Sequence, residues 1–408
     1  MKTITTILAT LAVITIGAPT AGCFTYLGAA NYGDPIQAVD ARTLGMGGTS
    51  VASERGPLAL FTNPAALPPD TEIRLGTGLV RSGEMVSGPV FDEFDNTVGD
   101  AVFSDDWHIF LKPSCGAAAY SWGPLTVGLG VCPRYDFTYR HELNMRDDFW
   151  VKTAVVQYES KGDIVAYTGG LAYRPTSYLS LGVASSILRG AVRFDKQTDY
   201  IDPALGDEWE WSDQDFEGFG TSFGILVQPN YMFSLGLAVE SQLGLEGDYR
   251  RICGITKTTL DSLDGREITY PLKTSMGVAY RPSNQLPVRV AADVIYTRWS
   301  DFSDAAYDDL VLDDVWEYRL GVEHRMPDEF MVRFGFGWIP WYMNREVAAA
   351  LVTLGAGYDF GPMNVDVGAE LVRRHLRAGD VGRMESGPSD KIEESLFRMM
   401  LGMGITLP

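Results

Sequence analysis

A side-chain period of two, sustained for ten or more residues and recurring from residue 72 to the end, most narrows what this chain can fold into. Between Leu125 and Arg140 the odd positions Leu125, Val127, Leu129 and Val131 are apolar, and Tyr135, Phe137 and Tyr139 continue that face after Pro133. The even positions carry Thr126, Cys132, Arg134, Asp136, Thr138 and Arg140. The same alternation runs through Phe233–Leu245, Met363–Leu371 and Phe397–Leu407. Such a period means strands with one apolar and one polar face. Strands in ordinary globular sheets average about five or six residues, whereas a tilted membrane-crossing strand needs about ten.

The connections point the same way. About fourteen segments fit between residues 72 and 407, an even number of the kind single-chain bacterial barrels have. Every second connection is tight and contains proline: Gly123-Pro124, Pro175-Thr176, Pro229, Pro282 to Pro287, Pro327 and Gly361-Pro362. The connections between them, 87–106, 141–161, 196–216, 246–267, 300–314, 340–349 and 377–393, are mostly long and are expected to be loops. Short turns at one end and long loops at the other are the asymmetry of outer-membrane barrels. The expected fold is therefore all-β, a transmembrane antiparallel β-barrel of about fourteen strands.

Export fits that fold. Residues 4–16 form the only long apolar run, behind Lys2 and ahead of the small residues Ala18 to Gly22, which reads as a signal peptide over 1–22. No later run approaches the roughly 18 apolar residues of a membrane-spanning helix. Thr20-Ala-Gly-Cys23 also resembles a lipoprotein cleavage site, in which Cys23 would carry lipid; ordinary cleavage nearby is the alternative. The net charge of −20 argues against nucleic acid as a partner, which would need Lys and Arg gathered on one face. Segments 87–106, 197–216 and 300–314 hold six, seven and six acidic residues and no Lys or Arg, so the negative charge gathers on one rim. That rim either bridges divalent cations to anionic lipid or simply stays solvated. The four histidines fit no metal spacing and no nucleophile–base pair stands out, so neither a metal, a cofactor nor an enzyme is expected.

Ahead of the first strand lie Asp40-Ala-Arg-Thr-Leu-Gly-Met-Gly-Gly-Thr-Ser-Val-Ala-Ser53 and Leu60-Phe-Thr-Asn-Pro-Ala-Ala-Leu67. This stretch resembles the N-terminal plug, or hatch, of the FadL/TodX family of outer-membrane transporters of hydrophobic compounds, including the Asn-Pro-Ala signature at Asn63, Pro64 and Ala65 and the glycines Gly45, Gly47 and Gly48. Val294-Ile-Tyr-Thr-Arg-Trp-Ser-Asp-Phe302, Tyr318–His324 with Met331–Phe336, and Leu354–Pro362 with Val365–Glu370 are similar to later strands of that family. The resemblance implies a plug over 23–70 inside a barrel over 71–408. It also implies a bacterial outer-membrane channel for passive uptake of hydrophobic small molecules, such as long-chain fatty acids or hydrocarbons, through a lateral opening in the wall. Membrane lipid, the hydrophobic ligand and the outer-membrane assembly machinery would be its partners. The plug signature is shared with PorV-like barrels, so a scaffold or shuttle for protein secretion is the first alternative and a structural surface barrel the second.

The inward faces carry Arg134, Asp136, Glu240, Gln242, Asp293, Arg319, Glu323, Arg333, Asp366 and Glu370. A cation among them would hold a substrate carboxylate; otherwise these charges pair across the lumen, because a buried unpaired charge is costly. If Trp122 pairs with Leu125 around Gly123-Pro124, Cys115 and Cys132 fall opposite each other on the inward face. They are either a cross-strand disulfide, as an oxidising periplasm allows, or two small facing residues.

Overall fold

The alternation resolves into fourteen strands: β1 (Thr71–Phe91), β2 (Thr97–Trp122), β3 (Leu125–Asp136, continued by Tyr139–Arg146), β4 (Lys152–Thr176), β5 (Leu179–Tyr200), β6 (Glu208–Val227), β7 (Phe233–Glu240, continued by Leu243–Cys253), β8 (Thr258–Tyr270, continued by Lys273–Tyr280), β9 (Val288–Thr297), β10 (Val315–Arg325), β11 (Phe330–Pro340), β12 (Ala348–Asp359), β13 (Met363–Arg377) and β14 (Lys391–Leu407). The computed structural model describes residues 25–407 except 30–31, 37, 95, 148–149, 255–257, 283–286, 308–309 and 382–388; the expected signal peptide and Cys23 lie outside the described residues. Neighbouring strands pair antiparallel, and β14 returns to β1 from Leu407–Thr71 to Lys391–Ser87, which closes the ring. Closure pairs the backbone polar groups within the wall around the ring except along one seam, which approaches the condition for crossing a bilayer with strands. No helix among the described residues is long and apolar enough to cross a membrane.

The two faces follow the sequence. On β14, Phe397, Met399, Leu401 and Met403 point outward, while Glu394 and Arg398 are buried inside. Leu129, Phe223, Phe334, Phe336, Val352 and Leu354 extend the apolar outer surface around the ring. Tyr120, Trp122, Tyr173, Tyr178, Tyr231 and Phe360 stand exposed near the tight turns, as interfacial aromatics do.

Four of the expected loops are not loops. Segments 87–106, 141–161, 196–216 and 246–267 continue the strands as long hairpins, with β1–β2 paired out to Phe91–Thr97, β5–β6 to Thr198–Glu208 and β7–β8 to Cys253–Thr258. These arms depart from the apolar-outward pattern of the membrane-crossing segments, and those of β3 and β4 turn Leu143, Val156 and Tyr158 inward, yet ladder hydrogen bonds need no apolar outer face. Segments 300–314, 340–349 and 377–393 remain largely irregular, with short helical turns at Trp299–Asp301 and Ala378–Val381.

One seam of the wall is incomplete. The β2–β3 ladder runs from Trp122–Leu125 to Gly116–Val131 and stops there. Cys115 and Cys132 follow immediately, buried, with Cα atoms 4.2 Å apart and a disulfide between them. Beyond it β3 bulges between Pro133 and Tyr135. Its freed edge pairs with Asp34 and Pro35 of the N-terminal segment instead of with β2, and Ile36 N donates to Arg134 O at 2.9 Å. Meanwhile β2 stays with β1. It meets β3 again near the hairpin tips, where Ser104 donates to Glu142 O and Asn144 to Phe103 O. The wall therefore has a slit between β2 and β3 that begins at the disulfide. Replacing both cysteines by serine is expected to lower stability by about 3 kcal/mol, from the closed loop of 17 residues. Hydrogen exchange should also speed up at Gly116–Ala119 and Gly128–Val131. Exchange unchanged at those amides would show that the ladder below the slit holds without the bridge.

Candidate functional site

The N-terminal segment fills the lumen nearest the tight turns. After the short helix α1 (Tyr26–Ala29), helix α2 (Ala41–Gly45) is capped by Asp40, whose Oδ1 accepts from Thr43 N at 2.7 Å while Thr43 Oγ1 accepts from Asp40 N at 3.2 Å. Two 3-10 turns follow, at Pro57–Phe61 and Pro64–Ala66. Asn63 is fully buried at the start of the second turn: its side chain accepts from Ala65 N at 3.1 Å and donates to Val51 O at 2.8 Å and to Ile225 O on β6 at 3.3 Å. Ser180 on β5 donates to Ala65 O at 2.7 Å. Asn63, Pro64 and Ala65 thus dock one side of the segment on β5 and β6.

The glycine-rich run docks the other side. Gly47 has φ +68° and sits so close to β10 and β11 that a Cβ there would lie 2.6 Å from Leu320 O and 2.9 Å from Phe336 N. The wall answers with its own glycine, since a Cβ on Gly335 would lie 2.1 Å from Gly47 N. Gly45 meets Gly355 in the same way, and Gly48 O accepts from Arg319 Nη1 at 3.2 Å. Glycines that alternate along the polar face are therefore the places where backbone meets backbone.

Charge ties the same parts together. Arg42 pairs with Glu54 at 2.9 Å and Glu323 at 3.1 Å, and Arg333 bridges Glu323 at 2.8 Å and Asp366 at 2.7 Å. Arg74 reaches Glu54, Asp40 and Glu72. Asp293 accepts from Ser50 N at 2.6 Å and Val51 N at 3.0 Å. Higher up, Glu240 holds Arg134 and Lys273, Arg319 pairs with Glu317 at 2.6 Å, and Arg398 pairs with Glu370 at 3.1 Å. Of the sequence-selected inward residues, Gln242 alone is misplaced. Ser241 and Gln242 interrupt β7, the strand resumes in the opposite phase, and Gln242 is exposed while Leu243 and Leu245 turn inward.

A similar break in β3 at Phe137–Thr138 brings Phe137, Tyr139, His141 and Leu143 inside, although the run from Leu125 places Phe137 and Tyr139 outside. These phase changes line the hairpin end of the lumen with apolar side chains. Two chambers lie there. The larger, about 400 Å³, is walled by Tyr26, Phe137, Tyr158, Phe216 and Ile268, with Arg266 lying over Tyr249 at 4.4 Å. The smaller, about 90 Å³, lies among Trp299, Pro340, Tyr342, Leu351, Val372 and Leu396. An aromatic partition stands between them. Tyr32 packs 4.3 Å from Phe302, its backbone N donates to Tyr342 Oη at 3.2 Å, and Trp299 stacks on Tyr342 at 4.0 Å. Burial and the Asp304 carboxylate push the Tyr32 hydroxyl far above its ordinary range, so it remains the donor in its 3.0 Å bond to Asp304.

No family model and no curated protein sequence matches the chain. Solved structures do. A FadL homologue of Pseudomonas aeruginosa superposes with a TM-score of 0.64 at 16% identity, covering 92% of this chain and 99% of that one. The toluene transporter TodX of P. putida gives 0.64 at 15% identity, with 91% and 99% covered. The toluene transporter TbuX of Ralstonia pickettii gives 0.61 at 16%, with the same coverage. The chain has the FadL/TodX fold.

Within this FadL-type barrel the chamber residues were the ones the sequence concealed. Trp299 lies at the end of the Val294–Phe302 stretch, but Tyr342 and Leu351 carried no sign of facing the lumen, because apolar side chains on a barrel strand read as lipid-facing. The available signals were Pro133 and Pro271, each an interruption in a long alternating run. Gly335→Val is expected to weaken docking of the N-terminal segment by about 1–3 kcal/mol, as overpacking does. Limited proteolysis should then cut near residues 41–56 while the barrel keeps its heat-shifted gel mobility. Protection equal to wild type would mean that the close approach to Gly47 is not limiting.

Proposed function

We propose that this chain is a bacterial outer-membrane channel for passive uptake of hydrophobic small molecules, with the N-terminal segment as its hatch. One observation carries the reading: aromatic chambers lie above a filled lumen, beside a slit in the wall. The filled lower lumen offers water no straight path, while the slit offers an apolar solute a sideways path into the bilayer. Entering the chambers removes the solute from water, worth about 25 cal/mol per Å² of apolar surface. A solute this small is held only loosely, so it can leave again. The names of the structural neighbours, a FadL homologue and two toluene transporters, support the same substrate class. The acidic hairpins and irregular loops stand at the outer surface, and the tight turns face the periplasm.

The test is flux of a labelled hydrophobic probe into cells that lack their own channel of this kind, with and without the protein. Expression is expected to raise uptake several-fold without admitting small hydrophilic dyes. Trp299→Ala should remove most of the gain, because the variant loses the stack with Tyr342 and opens the partition. No gain in uptake, together with a stoichiometric protein partner on purification, would move the assignment to a secretion scaffold.

A further inference from the structure

We propose that the outer face of β13, β14 and β1 docks a phosphorylated lipid of the outer leaflet, whose phosphate is held by Arg373, Arg377 and Arg81. The proposal rests on the orientation given above, with the hairpins outside, and not on any solute passing through the barrel.

The ladder fixes where these side chains stand. Arg373 lies opposite Ser395, Ser395 opposite Gly83, and Gly83 opposite Trp107, in one row across four strands. The next outward row toward the tight turns is Leu371, Phe397, Arg81 and Ile109, and toward the loops Arg377 lies opposite Lys391. Arg373, Arg377, Lys391 and Arg81 are all exposed on the outer face. A bilayer crossing of about ten residues that starts at Gly361-Pro362 ends at the level of Arg373. The arginines therefore meet lipid head groups, while Leu371, Phe397, Met399 and Leu401 below them meet acyl chains. Ser395 and Gly83 floor a shallow dent between Arg373 and Arg81, whose strands lie two spacings apart, about 10 Å. Two guanidinium groups can close on one phosphate across that gap.

The charges of this face are not balanced from within. Among the described residues the side chains of Arg373 and Arg377 form no ion pair, and Arg81 lies over the Trp107 ring at 4.8 Å. Arg377 and Lys391 stand directly opposite each other, a like-charge pairing that destabilises a ladder unless an anion lies between. The nearby carboxylates are engaged: Asp100 holds Lys391, Glu393 stands 3.7 Å from His375, and Asp380 accepts from Arg377 N at 3.2 Å. Asp105, exposed on β2 opposite Met85, is three strands from Arg373. In a chain of net charge −20 this leaves a cationic patch at the lipid boundary. The planar fork of arginine matches phosphate oxygens in pairs, so a phosphate supplies the missing anion. The apolar strip directly below supplies the contact for its acyl chains.

The experiment is native mass spectrometry of the intact barrel in detergent with EDTA, titrated with lipid A and with the same lipid stripped of its phosphates. Lipid A is expected to bind at least tenfold tighter, and equal affinity would overturn the proposal. Inorganic phosphate at millimolar concentration should leave the complex intact; displacement would make this a site for the free anion and sink the lipid assignment. Binding that is lost in EDTA and restored by magnesium would move the lipid to the acidic rim through a bridging cation, against the proposal. Arg373→Gln combined with Arg377→Gln should lower lipid A affinity at least fivefold. Arg189→Gln, on β5 and paired with Glu217, should leave it unchanged. No loss in the double variant, or an equal loss in both, counts against the site. Should the double variant lack the heat-shifted mobility of a folded barrel, Arg373→Lys keeps the charge without the fork and is expected to weaken binding about threefold; unchanged affinity overturns the paired contact. A barrel that holds lipid A yet carries no hydrophobic probe loses the channel reading alone.

Discussion

The structure turns on a hydrogen-bonding problem at the edge of β3. A barrel strand that leaves its neighbour exposes a row of amide and carbonyl groups where lipid can satisfy none of them. Here β3 parts from β2 beyond Gly116–Val131, and the N-terminal segment takes the vacated side of the ladder through Asp34, Pro35 and Ile36. The inner segment is thus part of the wall's hydrogen bonding as well as a filler. Where β3 meets it, Phe137 and Tyr139 turn into the lumen, and Phe137 becomes part of the wall of the larger chamber.

Charge and shape divide the remaining work. Toward the tight turns, the segment is locked to the wall by arginines that each bridge carboxylates from both partners, notably Arg42 between Glu54 and Glu323. A buried pair of this kind adds little net stability but is costly to break, so it fixes register more than it strengthens the fold. Glycine-on-glycine contact around Gly47 and Gly335 brings the backbones close enough for those short bonds to form. Toward the hairpins, paired charges give way to aromatic surface, and the lumen changes from a sealed joint to chambers walled by apolar side chains.

Most of the barrel could be read before any coordinates. Alternation placed the membrane-crossing parts of the fourteen strands, and the proline-marked connections placed the tight turns, because both signals come from local backbone geometry and the one-residue flip between faces. The hairpin arms were missed for the same reason: outside the bilayer neither face of β5 or β6 needs to be apolar, so Gln197–Asp215 carries no period. Gln242 was assigned to the wrong face because a two-residue interruption reverses the phase without leaving a mark in hydropathy. The chamber around Trp299 and Tyr342 was illegible for a deeper reason. Apolar residues pointing into the lumen and apolar residues pointing at lipid are the same letters, and only the closed ring distinguishes them.

The position of the disulfide has a mechanical consequence. A slit in a sheet concentrates load at its tip, where the last intact rung carries whatever pulls the two lips apart. In this wall that rung is Gly116–Val131, and the covalent link between Cys115 and Cys132 sits directly against it. The bond acts as a crack-stop. Lateral strain from the bilayer that widens the lips above it is kept from unzipping the seam toward the tight turns, so the slit has a fixed floor.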